Sequence, residues 1–105
     1  DEAQFQLGVV ALERSRYREA AEAFEQTLRR KPNDKRALQN LVKARLDGGD
    51  QPGALDALGR MHAAHPADAQ TLLSMAALLQ RMDRDDEAKA LLMDACEKGV
   101  PQACR

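Results

Sequence analysis

The stretch "YREAAEAFEQTLRRKP" runs from Tyr17 to Pro32, and "QPGALDALGRMHAAHP", from Gln51 to Pro66, follows the same plan. Each has a small residue in its first turn, Ala20 or Ala54. An apolar residue follows one turn later, Phe24 or Leu58, and a proline ends the segment. Laying the chain on itself extends the match. Ala20, Ala54 and Ala88 are evenly spaced, and the same interval separates Phe24, Leu58 and Leu92, and again Leu7, Leu41 and Met75. Leu38 pairs in the same way with Leu72, and Pro32 with Pro66. A constant period of about 34 residues marks a solenoid, in which one supersecondary unit cannot cover its apolar face alone and stacks on its neighbours.

Three units fit, at 1–34, 35–68 and 69–102, with 103–105 left as the start of a further helix or a cap. Each unit reads as two helices. Leu38, Leu41, Val42 and Leu46 fall on one helical face. "DGGDQPG" (47–53) breaks the chain, and Leu55, Leu58 and Met61 define a second apolar face that stops before Pro66. Helices are expected near 2–14, 18–30, 35–47, 52–64, 69–81 and 85–98, with Asp34 and Asp68 as N-caps. Ala20 leaves only a methyl group where paired helices cross, and Phe24 fills the gap one turn on.

Bulk composition agrees. The 105 residues are 44% hydrophobic but only 3% aromatic, a core of Ala and Leu suited to packed helices. Sixteen basic residues against 17 acidic ones give a net charge of −1, which exerts no general pull toward nucleic acid or membrane. No apolar run reaches the ~18 residues of a membrane span. The chain opens in mid-pattern at Asp1 and is read as an excerpt of a larger protein, so the absence of a signal peptide carries little weight.

The pattern closely resembles the tetratricopeptide repeat (TPR) family, through Leu7–Gly8, Tyr17, Ala20, Phe24 and Pro32 in the first unit. The second unit keeps Leu41, Gly49, Ala54, Leu58 and Pro66, and departs at Val42, where a small residue is usual, and at Arg45, where an aromatic is usual. The third keeps Leu72, Ala76, Ala88, Leu92 and Ala95, with its proline displaced by one to Pro101. The resemblance implies an all-α, right-handed superhelix of three TPR hairpins. "ACEKGVPQAC" (95–104) is similar to the end of a Sel1-like repeat, in whose cysteine-rich secreted members a Cys ending one helix bridges to a Cys starting the next. Cys96 and Cys104 match those positions; the alternative is a buried free Cys96 with an incidental Cys104. A bridge points to a periplasmic or other extracytoplasmic compartment, and its absence to the cytoplasm.

Other constellations fall short of chemistry. His62 and His65 form an H-x-x-H pair without a third ligand nearby, and read as exposed histidines near a helix C-terminus rather than a metal site. "DRDDE" (83–87) lacks the glycine and ligand alternation of a calcium loop, and reads as the start of the last long helix, with Asp85 or Asp86 capping it. Arg29, Arg30, Lys31, Lys35 and Arg36 cluster without interleaved aromatics, so nucleic-acid binding is not expected. Ser15 and Ser74 have no histidine nearby in sequence, "DGGD" is no phosphate loop, and the cysteines are not C-x-x-C. The expectation is a protein that is not an enzyme and needs no cofactor and no metal.

In the TPR family the first helix of each unit lines a concave groove that holds a peptide or partner helix. The resemblance places Phe5, Val9 and Leu12 there from the first unit, with Glu2 and Glu13. The second contributes Gln39, Asn40, Lys43 and Leu46, with Arg36 and Asp47; the third contributes Gln70, Leu73, Ala77 and Arg81, with Ser74 and Gln80. One subgroup clamps a C-terminal carboxylate with two Lys, two Asn and an Arg; only Asn40 matches, because Phe5, Val9, Gln70 and Ser74 fill the other places, and an anion clamp needs fixed positive charge. What remains is an exposed apolar stripe, Phe5–Val9–Leu12, beside a polar wall. It holds a partner's apolar segment, packs on further chain or a second copy, or belongs to the core. The expected role is a protein–protein interaction scaffold; the alternative is a regulatory, assembly or oligomerisation module of a larger polypeptide such as an enzyme or secretion or envelope machinery. Self-association is compatible with both, and direct membrane insertion with neither.

Overall fold

The computed structural model describes residues 2–104; Asp1 and Arg105, which the sequence reading gives to the first unit and to the C-terminal cap, lie outside the described residues. Six helices follow in order: α1 (Glu2–Glu13), α2 (Tyr17–Arg30), α3 (Lys35–Asp47), α4 (Gln51–Ala64), α5 (Ala69–Arg81) and α6 (Asp85–Glu97). A 3-10 turn, η1 (Pro101–Cys104), ends the described chain. Each helix packs on its sequence neighbour, and α1 also touches α3. That nearest-neighbour pattern, drawn out to 41 × 26 × 17 Å, makes an all-α superhelix of hairpins.

One turn chemistry recurs between paired helices. Ser15, Gly49 and Asp83 hold the same place in successive hairpins, and all take left-handed backbone, with φ of 60°, 83° and 60°. The amides of Arg16, Asp50 and Arg84 donate to the carbonyls of Ala11, Arg45 and Leu79 at 2.8, 2.7 and 2.8 Å. The amides of Ser15, Gly49 and Asp83 donate to Leu12, Leu46 and Gln80 at 3.0, 3.1 and 3.0 Å. This pair of bonds is the Schellman motif, which satisfies the last carbonyls of a helix. Between hairpins the chain turns through the segments holding Pro32 and Pro66 instead. Asp34 then caps α3, its carboxylate accepting from the Ala37 amide at 3.2 Å. Asp68 caps α5, accepting from the Gln70 amide at 3.0 Å and the Thr71 hydroxyl at 3.2 Å.

The repeated small and large residues do what their spacing suggests. Ala20, Ala54 and Ala88 are fully buried, so the paired helices cross closely there. Phe24 is also fully buried and lies against Gly8, where an added Cβ would come within 2.5 Å of the ring. Its other neighbour is Phe5, with ring centroids 5.7 Å apart and planes inclined at 58°. Leu7 departs from its register: it is 60% exposed, whereas Leu41, its counterpart in the next repeat, is fully buried. Leu41 has the preceding α2 beside it in the core, and α1 follows no helix within the described residues.

The end of α6 differs from the ends of α2 and α4. Gly99, at φ 93°, and Val100 close a fourth Schellman turn, with Val100 donating to the Ala95 carbonyl at 3.0 Å. The turn folds η1 back so that Ala103 packs with Leu72 and Ala95. Cys96 and Cys104 are joined, with S–S 2.00 Å and Cα atoms 5.0 Å apart. The expected cap at the start of α6 is corrected. Arg84 holds the N-cap position without a capping side-chain bond, and Asp85, Asp86 and Glu87 fill the first turn. Acidic residues there complement the partial positive charge of the helix N-terminus without accepting a capping bond.

Candidate interaction surface

The expected groove residues lie on α1, α3 and α5, the first helices of the three hairpins. Gln39, Lys43, Gln70, Leu73, Ala77 and Arg81 are exposed, and Val9, Leu12, Asn40 and Leu46 are half-buried. Lys43 is tied to Asp47 at 3.2 Å, one helical turn on.

Phe5 requires a correction. It is buried, not the head of an open apolar stripe. Phe24 packs on it from inside, and the Arg36 guanidinium covers it with its central carbon 4.4 Å from the ring centroid. Arg36 is in turn held by Glu2 at 3.3 Å. Bonds from Gln6, then from Arg36, hold the Glu2 carboxyl below its ordinary pKa. A cation over a ring face is favourable because the ring quadrupole is negative there. The N-terminal end of the expected groove surface therefore presents a charged lid over a buried aromatic ring.

Between α3 and α5 a smaller cleft of about 160 Å³ opens among the expected residues. Val42, Leu58 and Met61 form its apolar floor, with Gln39, Gln70 and Ser74 at the rim. Asp68 and Thr71 close one end. The Lys35 ammonium, 3.0 Å from Asp68, is the main cause holding that carboxyl below its ordinary pKa. Val42 and Met61 were legible as apolar helix-face residues. That they share one opening with Gln39 and Gln70 depends on the angle between hairpins, which no spacing in the sequence states.

A larger cleft, about 710 Å³, runs along the other side between α2 and α3, past Tyr17, Glu22, Gln26, Arg29 and Gly48. In its lining Glu25 receives two arginines, Arg45 at 2.8 Å, also in the lining, and Arg60 at 3.0 Å. Arg45 also donates to the Gly53 carbonyl at 3.1 Å. The arginine that replaces an aromatic in the second unit thus links α2, α3 and α4. Sequence reasoning missed this cluster because its members are 20 and 35 residues apart and follow no period.

The histidines are also corrected, since neither is fully exposed. His62 faces a cleft of about 430 Å³ between α4, α5 and the end of α6, and its Nδ1 is buried without a hydrogen-bond partner. The His65 Nε2 lies 3.3 Å from the Asn33 carbonyl. No group of three or more His, Cys, Asp or Glu side chains gathers as metal ligands among the described residues. No described helix is long and apolar enough to cross a membrane.

Among solved structures, MamA (residues 41 to the end) from Desulfovibrio magneticus RS-1 superposes with a TM-score of 0.76 at 19% identity. The match covers 97% of this chain and 56% of that one, so this chain spans just over half its length, and the likeness is one of fold. No curated protein matches. A family model described as tetratricopeptide repeat matches residues 5–69, well over half of the chain. The chain belongs to the tetratricopeptide repeat family.

Proposed function

We propose that this chain is a non-catalytic protein-interaction module that takes a segment of another protein on the concave side formed by α1, α3 and α5. Family membership supports a protein-interaction scaffold in general. The observation that carries the finer reading is the cleft between α3 and α5, with an apolar floor of Val42, Leu58 and Met61 under a rim of Gln39, Gln70 and Ser74. Its size suits one apolar side chain. The rim amides can both donate and accept, which suits the backbone of an extended peptide. An apolar anchor would supply affinity, and the exposed Lys43 and Arg81 nearby would tune specificity. The three-unit division at 1–34, 35–68 and 69–102 belongs to this reading, supported by the turn chemistry that recurs from one hairpin to the next. The Cys96–Cys104 bond supports an oxidising compartment.

Selection of peptides from a random display library on the immobilised protein tests the reading. Selected peptides should share an apolar anchor. They should lose binding at least tenfold to Ser74→Trp, which fills the cleft, and keep it with Arg18→Glu on the opposite side. Peptides that ignore Ser74→Trp and depend on Arg18 would place recognition in the α2–α3 cleft and refute the proposal.

A further inference from the structure

We infer that the cleft between α4, α5 and the end of α6 binds a small neutral molecule with an apolar body and one hydroxyl group. The site is separate from the concave side and does not rest on the peptide reading. It holds about 430 Å³, a volume within the range of small-molecule sites. Pro66, Leu72, Leu91, Ala95 and Val100 give it apolar walls, and His62 lines it as well. The His62 Nδ1 is buried and has no hydrogen-bond partner among the described residues. A buried polar atom without a partner is costly, and in the wall of a cleft it offers a bound molecule a hydrogen bond. Nothing bonded to Nδ1 holds the ring, so it can turn toward such a partner.

The preceding junction between hairpins shows why this space is open and what fits it. One repeat earlier, Leu28, Leu38, Ala57 and Met61 take the places of His62, Leu72, Leu91 and Ala95, and all four are buried in one core cluster. There the small residue comes first on the second helix and the large one a turn later. In α6 the order is reversed, with Leu91 before Ala95. Leu91 is only half-buried and spaces α6 from its neighbours where Ala57 allows close approach. Ala95 then leaves empty the place that the Met61 side chain fills, so the occupant needs an apolar group of about that bulk. A helix continuing the repeat beyond η1 would not reach the α4 wall of the cleft. Its counterpart is α5, which makes no contact with α2, the counterpart of α4. At the rim the Lys98 ammonium lies 3.0 Å from the Asp94 carboxylate, so the charges cancel and favour a neutral molecule. A hydroxyl suits Nδ1 in either tautomer, because it can donate or accept.

Titration of the isotope-labelled protein, disulfide intact, with phenol and with toluene tests this by amide NMR shifts. Phenol should shift the amides of Leu72, Leu91, Ala95 and Val100 saturably, with a dissociation constant of about 1 mM or below. His62→Leu keeps an apolar wall but removes the nitrogen, so it should weaken phenol about fivefold and leave toluene unweakened. Ala95→Met restores the residue of the preceding junction and should weaken both ligands about tenfold or more, with circular dichroism unaltered. Should Ala95→Met disturb the fold, the contrast between phenol and toluene in His62→Leu decides alone. A wild type without saturable shifts means that the cleft holds only water, and overturns the proposal. So does phenol binding that His62→Leu leaves unchanged. Binding that survives Ala95→Met in a folded protein, or shifts centred on Val42 and Leu58, places the ligand elsewhere and overturns it too.

Discussion

Two glycines in helices should respond in opposite directions to the same substitution. Alanine in place of a helical glycine gains about 1 kcal/mol of intrinsic propensity. At Gly59 in α4 that gain stands alone, because a Cβ there meets nothing within 4 Å. At Gly8 in α1 the added methyl would lie 2.5, 2.8 and 2.8 Å from three carbons of the Phe24 ring. Relaxed carbon–carbon contact is about 3.5–4.0 Å, so ring and helix must part by roughly 1 Å. The ring cannot easily retreat, since it is fully buried and backed by Phe5. Overpacking of this kind costs about 1–3 kcal/mol, and a wider gap also weakens dispersion along the α1–α2 seam. Gly8→Ala should therefore lose about 1 kcal/mol net, while Gly59→Ala gains about 0.5–1 kcal/mol. Urea unfolding followed by circular dichroism reads both. A double-mutant cycle with Phe24→Leu sharpens the test: the Gly8→Ala penalty should shrink by at least about 1 kcal/mol once the ring is gone. Equal stabilisation at both glycines, or strict additivity with Phe24→Leu, would show that the ring does not exclude a side chain at position 8.

Ser15→Gly should stabilise the first hairpin by several tenths of a kcal/mol to about 1 kcal/mol, because Ser15 holds left-handed backbone that the equivalent Gly49 adopts without a Cβ; the unfolding midpoint should rise. His62→Leu restores the apolar residue found at Leu28, its counterpart one repeat earlier, and removes a buried unpaired Nδ1; a gain of about 1 kcal/mol in urea is expected, and a loss would show that the ring nitrogen has a partner in solution. Asp68 has a lowered folded pKa, so its contribution is present above the ordinary carboxylate pKa and is lost as pH falls through the folded value. Asp68→Asn keeps a capping oxygen but not the ion pair to Lys35, so its melting temperature should lie below wild type at pH 6 and converge with it toward pH 2.

The helices were legible because the period of the apolar positions is a property of the backbone and repeats three times in phase. Their order and pairing followed, since a chain of repeated hairpins has few ways to cover its apolar faces. The cysteine bridge was legible through resemblance, with a free Cys96 as its rival. What the sequence concealed lies between units. Phe5 looked like an open anchor on α1; the residue that covers it, Arg36, belongs to the next hairpin and is steered there by Glu2. Leu7 shares its register with Leu41, which is core, but it is exposed, because no helix precedes α1 among the described residues. Of the three left-handed positions within the hairpins, Ser15, Gly49 and Asp83, only Gly49 carried a residue that announces its φ. Backbone demands at Ser15 and Asp83 are imposed by the hairpin, against local preference.

The first and last described hairpins are stabilised by different means, and this bears on how the protein unfolds. α2 buries five residues, among them Phe24 and Leu28, whereas α6 buries only Ala88 and Ala95. A hairpin whose second helix buries so little apolar surface should fray first in a nearly one-dimensional fold. The Cys96–Cys104 bond acts at that weak end. Closing its short loop contributes about 2–3 kcal/mol by the chain-entropy relation, comparable to burying one further large apolar side chain. Reduction should therefore act locally. Amides of Ala95, Val100 and Ala103 should lose protection against hydrogen exchange on the order of a hundredfold, while those of Leu28 and Leu41 change little. A uniform loss across all six helices would mean that the hairpins unfold as one unit and that the bridge supports the whole solenoid rather than its end.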